Sequence, residues 1–146
     1  MSAIDSRNDF VGSPLDLTTV AVSITGASVA STSVAAAGAS LQNVIKRLQI
    51  TVGASGAQAP LFVGVFNGAS TSSTPLALYT VTPTLTAAST GTPSPTIDLD
   101  NLHIAGSANT ALTVGTTAAP AASTSIAITA QTYVFPKQPS KYTFIS

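Results

Sequence analysis

His103, with Asp98 and Asp100 shortly before it, is the group of residues most suggestive of chemistry in this sequence. It is the single histidine of the chain, and histidine is the side chain whose unperturbed pKa lies nearest to neutral pH. If the segment is extended, the two carboxylates point to one face about 7 Å apart, where a metal ion could bind both. The spacing nevertheless differs from that of a calcium loop, because Leu102 and His103 stand at a ligand position and at the glycine position. One histidine also cannot form a two-histidine site, and we therefore predict no metal site.

Motifs for nucleophilic catalysis and phosphate binding are missing from the sequence. The many serines could supply a Ser–His–Asp triad, but the Gly-x-Ser-x-Gly turn that exposes such a nucleophile does not occur. The glycines on either side of Ser55 are predicted to form a hairpin tip instead. The chain has no cysteine, and it has no Gly-x-x-x-x-Gly-Lys-[Ser/Thr] loop. We predict that the chain is not an enzyme, that it binds no cofactor and that no activity depends on His103.

Basic and aromatic residues are also too few or too scattered to indicate a binding surface. The chain has five lysines and arginines in total, too few for the row of phosphate contacts that nucleic acids require. The one basic doublet is Lys46-Arg47, and in a regular strand its two side chains face opposite ways. The spacing of Tyr79, Tyr133 and Tyr142 gives no sign of a platform on which a sugar could stack. We predict no nucleic-acid partner and assign the aromatic side chains to the core and the sheet faces.

The elements that carry these residues are predicted to be strands. Thr, Val and Ser dominate, glutamate is absent, and Gly or Pro interrupts the chain about every ten residues. Within 44–52 the even positions are apolar except Lys46, which suggests that this lysine lies at an edge, and both faces of 61–66 are apolar, which suggests a strand covered on two sides. Strands are predicted at 15–24, 44–52, 61–66, 76–82, 96–99, 102–105, 111–114, 125–135 and 142–145.

Composition points to one sandwich domain with little charge. Charged residues make up 7% of the chain, hydrophobic residues 45%, the formal net charge is zero and the mean hydropathy is +0.43. Enough apolar surface is present to exclude a disordered chain, although much of it is alanine. We predict an all-β fold, a single antiparallel β-sandwich of eight to nine strands that is jelly-roll-like and spans residues 15–136. A neutral surface promotes association, so we expect a dimer or trimer joined through apolar strand faces.

Short polar arms are predicted to flank the sandwich at residues 1–14 and 137–146. Most of the ten charged residues lie in or next to these arms, whereas 17–136 holds only Lys46, Arg47, Asp98 and Asp100. The arms could be solvated tails, or they could clamp a partner surface. In the second case the contact residues would be Asp5, Arg7, Asp9, Phe10, Lys137, Lys141 and Phe144.

Three segments resemble the jelly-roll decoration or cement proteins of tailed-bacteriophage capsids. They are 43–53 (NVIKRLQITVG), 61–70 (LFVGVFNGAS) and 75–79 (PLALY), which follow one another as strand, strand, Asn-Gly turn and strand. The resemblance implies a structural virion protein that binds the outer surface of an assembled shell and reinforces it. It implies the major capsid protein and copies of the chain itself as partners, and the capsid surface as its location.

Two further expectations concern location and the rival function. The first residues carry Asp5, Arg7 and Asp9 in place of an export signal, and no run approaches the roughly 18 apolar residues of a membrane helix, so we expect synthesis in the host cytoplasm and no membrane partner. The alternative function is a receptor- or carbohydrate-binding sandwich of a phage tail or tail tip. Such a module should show clustered exposed aromatic side chains or a calcium site.

Overall fold

The computed structural model describes residues 17–25, 27–54, 60–85, 96–122 and 124–136. Over these ranges the chain forms strands and connecting turns with no helix, and so no helix there could cross a membrane. The elements are β1 (Thr18–Thr25), β2 (Ser31–Val34), β3 (Leu41–Ala54), β4 (Leu61–Asn67), β5 (Thr74–Val81), β6 (Thr84–Leu85), β7 (Thr96–Leu99), β8 (Ile104–Ala105), β9 (Leu112–Thr116) and β10 (Thr124–Pro136).

Two sheets form a sandwich. The large sheet has the order β1-β10-β3, and the short strands β6, β7 and β8 pair with the other side of β3. The small sheet has the order β2-β9-β4-β5. Every pairing is antiparallel among the described strands except the two-residue pairing of β3 with β6. The predicted all-β antiparallel sandwich is confirmed, and the more specific jelly-roll description stays a prediction.

The core lies between the two sheets and follows the predicted alternation of side chains. In the large sheet, every second residue of β10 from Thr124 to Thr132 is buried opposite a buried residue of β3, as in the pairs Ile128 with Ile50 and Ala130 with Leu48. The small sheet contributes residues such as Val63 and Val65. Each fully buried Val, Leu or Ile stabilises the fold by about 1.5–3 kcal/mol. The core cluster comprises Ala30, Ile45, Leu48, Ile50, Val52, Val63, Val65, Val81, Leu112, Val114, Ile126, Ile128 and Ala130.

A β-bulge in β3 corrects two of the predictions about Lys46. Arg47 pairs with Gln131 and Ile45 pairs with Thr132, so Lys46 is an extra residue without a partner on β10. After the bulge, the residues of β3 that face the core are at the even positions 48, 50 and 52. Before the bulge, the residue that faces the core is Ile45. Lys46 therefore lies on a central strand and not at an edge, and both it and Arg47 point outward. The prediction that the two basic side chains face opposite ways is wrong for the same reason.

The sequence predicted most strands within three residues of their bounds but missed two. Ser31–Val34 is short and rich in hydroxyl side chains, and Thr84–Leu85 is held by a two-residue parallel pairing. The expected covering of both faces of β4 is also wrong in part, because Phe62 is exposed whereas Phe66 is buried. The predicted strand 142–145 and both arms lie outside the described residues, and the domain bounds stay predictions.

One close approach between strands requires a glycine. A Cβ on Gly115 would press into the carbonyl oxygen of Ala30 and lie 2.9 Å from the Cα of Ser31. That carbonyl accepts a hydrogen bond of 2.8 Å from the backbone N–H of Thr116, whose hydroxyl accepts one from the N–H of Ala30. The backbone before β2 is thus held on both sides and cannot retreat without breaking hydrogen bonds.

We predict that Gly115→Ala destabilises the sandwich by about 1–3 kcal/mol, since overpacking against fixed backbone forces strands apart. The comparison is Gly64→Ala, where the atoms nearest the new Cβ are the far ends of the Leu78 and Phe66 side chains, each at 2.7 Å, and not backbone. Leu78 is exposed and can rotate away, whereas the buried Phe66 ring must shift, so a smaller loss is expected here. Thermal unfolding should show the larger loss for Gly115→Ala, and equal losses would contradict this explanation.

Candidate functional site

All charged side chains in the described part of the chain lie on the outer face of the large sheet. They are Lys46 and Arg47 on β3, Asp98 on β7 and Asp100 just after it. The bulge presents the two basic side chains together, and β7 pairs with β3 so that Asp98 stands opposite Gln49. The strands of the small sheet carry no charged residue. The sandwich is therefore divided into a charged side and a charge-free side.

Each acidic residue pairs with a basic one in this group. The guanidinium of Arg47 donates two hydrogen bonds to the Asp98 carboxylate, from Nε at 3.0 Å and from Nη2 at 2.7 Å, and Gln49 donates a third at 3.3 Å. The Lys46 ammonium lies 3.6 Å from the Asp100 carboxylate. The hydrogen bonds from Arg47 lower the pKa of Asp98 below its usual range. Both Asp98 and Asp100 are therefore engaged in ion pairs with neighbouring basic side chains.

Three rings cluster on the same face, next to these charges. The ring centroids of His103, Tyr133 and Phe135 lie 6.3–6.4 Å apart, and the Tyr133 hydroxyl is 2.9 Å from Nδ1 of His103. The prediction that aromatic spacing shows no clustering is wrong here. The signal in the sequence is the two-residue step from Tyr133 to Phe135, which puts both rings on one face of a strand.

The ring cluster covers an apolar residue on the outside of the sheet. Val44 pairs with Tyr133 across the strands and is fully buried although it lies outside the main core cluster. Two of the ring pairs meet edge to face, at 76° and 82°, which is the geometry of packed rings and not of a flat platform. Burial raises the pKa of Tyr133. The rings act first as a small outer core over Val44.

The charge-free side carries an exposed apolar surface that we call the apolar edge, made of Phe62, Leu76 and Leu78. Their exposed fractions are 48%, 39% and 51%. β5 is the last strand of the small sheet, so its far side has no partner strand among the described residues. Leu76 and Leu78 occupy the outward positions of β5 and alternate with Ala77 and Tyr79, which pack against the core. An uncharged edge strand with exposed leucines readily pairs with another chain.

The structure tests none of the predicted contact residues. Asp5, Arg7, Asp9, Phe10, Lys137, Lys141 and Phe144 all lie outside the described residues, and their role as contacts stays a prediction. Across the described ranges, no three His, Cys, Asp or Glu side chains come together as metal ligands would. The apolar edge and the ring cluster were not singled out by the sequence.

Comparison with known proteins finds distant structural similarity but no similarity in sequence to a known family. No protein-family model matches the sequence, and no curated protein matches it. Among solved structures, the chain is similar to a chain of the cyanophage Pam1 capsid asymmetric unit, with 15% sequence identity and a TM-score of 0.36. The similarity covers 84% of this chain and 87% of that one.

The ion pair at Asp98 predicts a defined dependence of stability on pH. Its pKa is lowered in the folded chain, so its contribution is fully present above the unfolded value of about 3.9 and is lost as pH falls through the lower folded value. Asp98→Asn should therefore reduce stability slightly at pH 7 because Arg47 loses its partner. The difference from the parent chain in denaturant unfolding should vanish at the lowest pH at which both remain folded, and a difference that grows toward acid would contradict the assignment.

Proposed function

We propose that this chain is a capsid decoration protein of a tailed bacteriophage, attached as a dimer or trimer to the outer surface of the assembled shell. The observation that carries the proposal is the apolar edge on an otherwise charge-free sheet. A free monomer exposing such an edge would associate without control, whereas a decoration protein keeps it covered throughout its working life. The proposal includes the virion as location and synthesis in the host cytoplasm.

The strand order supports the jelly-roll part of the proposal. Without the two-residue strands β6 and β8, four strands in the order β1-β10-β3-β7 face four in the order β2-β9-β4-β5. Eight strands in two such sheets form the jelly rolls common in viral capsids. We propose this fold family on the strand order alone.

The terminal arms are proposed to bind the major capsid protein or neighbouring copies of the chain, and the N-terminal arm is assigned to the capsid protein. Asp5, Arg7 and Asp9 would pair with groups of opposite charge, and Phe10 would enter an apolar pocket. Ordering an arm costs about 1–2 kcal/mol per residue in backbone entropy, so a partner surface must supply many contacts. We further propose that the chain is not an enzyme, a proposal supported by the ion pairs of Asp98 and Asp100 and by the hydrogen bond between His103 and Tyr133.

A second candidate is a glycan- or receptor-binding module, and one observation favours it. The ring cluster of His103, Tyr133 and Phe135 stands near Asp98 and Arg47 on one accessible face, and sugars bind to aromatic rings flanked by such polar groups. The edge-to-face packing of these rings over Val44 favours a structural role for the ring cluster. Shell attachment therefore remains the preferred function.

Co-sedimentation with shells assembled from the major capsid protein encoded with this chain tests the proposal. The full chain should pellet with shells at a saturating stoichiometry, and deletion of residues 2–12 should weaken binding at least tenfold while the unfolding temperature stays unchanged. The control is Asp98→Asn, which should pellet like the parent. A full chain that stays in the supernatant would refute the proposal, and equal binding after the deletion would refute the role of the arm.

A glycan array, probed with the full chain and with Phe135→Ala, separates the two candidate functions. We expect no glycan bound above background by either protein, and shell binding unchanged by the substitution. Specific glycan binding that disappears in Phe135→Ala would favour the second candidate. His103→Ala should likewise leave shell binding within experimental scatter.

A further inference from the structure

We propose that the apolar edge is the docking site for the C-terminal segment 142–145 of a second copy of this chain. The inference deepens the proposed function, on whose oligomer it rests, by naming the segment that joins the copies. The segment reads Tyr-Thr-Phe-Ile and would add a strand beside β5.

The apolar edge offers what an added strand needs. β5 spans eight residues and has no partner strand on its far side among the described residues, so backbone hydrogen-bonding groups are available there. Leu76 and Leu78 are exposed along it, and Phe62 is exposed on the adjacent strand. The underlying position is Gly64, whose missing side chain lets the Leu78 and Phe66 side chains lie close to the sheet.

The chain beyond Pro136 supplies a matching segment. Five residues, Lys-Gln-Pro-Ser-Lys, come first, followed by Tyr142 and Phe144 at a spacing of two. In a strand these two rings would lie on the same face and could both pack against the apolar edge. No charge on the small-sheet strands opposes Lys137 or Lys141.

Geometry favours a second copy over the chain's own segment. Pro136 pairs with Leu41 at the end of the sandwich where β4 ends at Asn67 and β5 begins. β10 belongs to the other sheet, and β9 and β4 separate its side of the sandwich from β5. With strands about 4.8 Å apart and sheets about 10 Å apart, the straight path to the far side of β5 is about 17 Å.

The five-residue spacer has little length to spare for that path. Fully extended, the six Cα–Cα steps from Pro136 to Tyr142 span about 20 Å. The straight path also runs through the loops at this end of the sandwich, where Asn67 and Ser107 exchange two hydrogen bonds of 2.8 Å. The spacer would have to go around them with only about 3 Å beyond the straight path, and this detour favours the β5 of a neighbour over its own.

Cysteine cross-linking of the free protein, without shells, tests the inference, and the chain's lack of cysteine makes every introduced thiol unique. Leu78→Cys is mixed with Phe144→Cys, and in parallel with Tyr142→Cys so that either register presents a thiol to β5. Under mild oxidation we expect a disulfide-linked dimer containing one chain of each variant. The control mixture replaces Leu78→Cys by Ser23→Cys, which is exposed on the outer face of the large sheet, and should cross-link at least tenfold more slowly.

Three cross-linking results would overturn the inference. A link within one chain in the Leu78→Cys/Phe144→Cys double variant would assign the site to the chain's own segment. Rapid dimers of Leu78→Cys alone would assign it to a second β5 edge. Cross-linking no faster than in the control would exclude the segment altogether. Because no shell is present, failure here leaves the shell-binding test of the proposed function unaffected.

Introducing a charge into segment 142–145 of the full chain provides an independent test. Phe144→Asp should raise the dissociation constant of the oligomer at least tenfold in sedimentation equilibrium, because an apolar contact is replaced by a carboxylate in a charge-free site. Thr143→Asp is the matched control, since its side chain would face away from the rings, and should change the constant less than threefold. Equal effects of the two substitutions would overturn the proposed contact.

Discussion

The bulge at Lys46 is the constraint on which the arrangement of this sandwich depends. β3 pairs with β10 along its length and with β6, β7 and β8 on its other side, so any shift of its side chains is felt throughout the large sheet. One extra residue turns Ile45 inward and places Lys46 and Arg47 together outside. It also leaves Val44 on the outer face, where a ring cluster must cover it. A regular strand would instead have buried the Lys46 ammonium, at a cost of several kcal/mol.

The two faces that result have different capabilities. The outer face of the large sheet has its polar groups paired with one another, through Arg47 and Asp98 and through Tyr133 and His103. Such a surface is stable in water and needs no partner. The apolar edge of the small sheet has no charge to protect it, and its strand is open on one side. We therefore assign the function to the apolar edge, where the sandwich is incomplete without another chain.

The sequence could predict the strands but not how they are offset. Alternation and regular breakers identify β3, β4 and β10 because apolar side chains recur with the period of a strand. A bulge changes that period by one residue, and its presence depends on pairing with a strand some 80 positions away, as Arg47 does with Gln131. The edge position of β5 is likewise a property of sheet order. By contrast, the two-residue spacing of Tyr133 and Phe135 is visible in the sequence and identifies two of the three rings of the cluster.

The strands that were not predicted from the sequence were missed for a different physical reason. β2 has only four residues and one large apolar side chain, too few to show an alternating pattern, and it is held by pairing with β9 and by the fit of Gly115 against Ala30. Tertiary contacts determine such strands, and they cannot therefore be predicted from the local sequence pattern.

Hydrogen exchange measured by mass spectrometry on the assembled oligomer tests the central claim, that the apolar edge is kept covered. β1 is the built-in comparison, because it is also an edge strand but none of its residues Thr18–Thr25 is an exposed large hydrophobic side chain. The account predicts that peptides spanning Thr74–Val81 exchange as slowly as those of the central strand β4. Exchange in β5 that is as fast as in β1, at concentrations where the chain is fully associated, would contradict it.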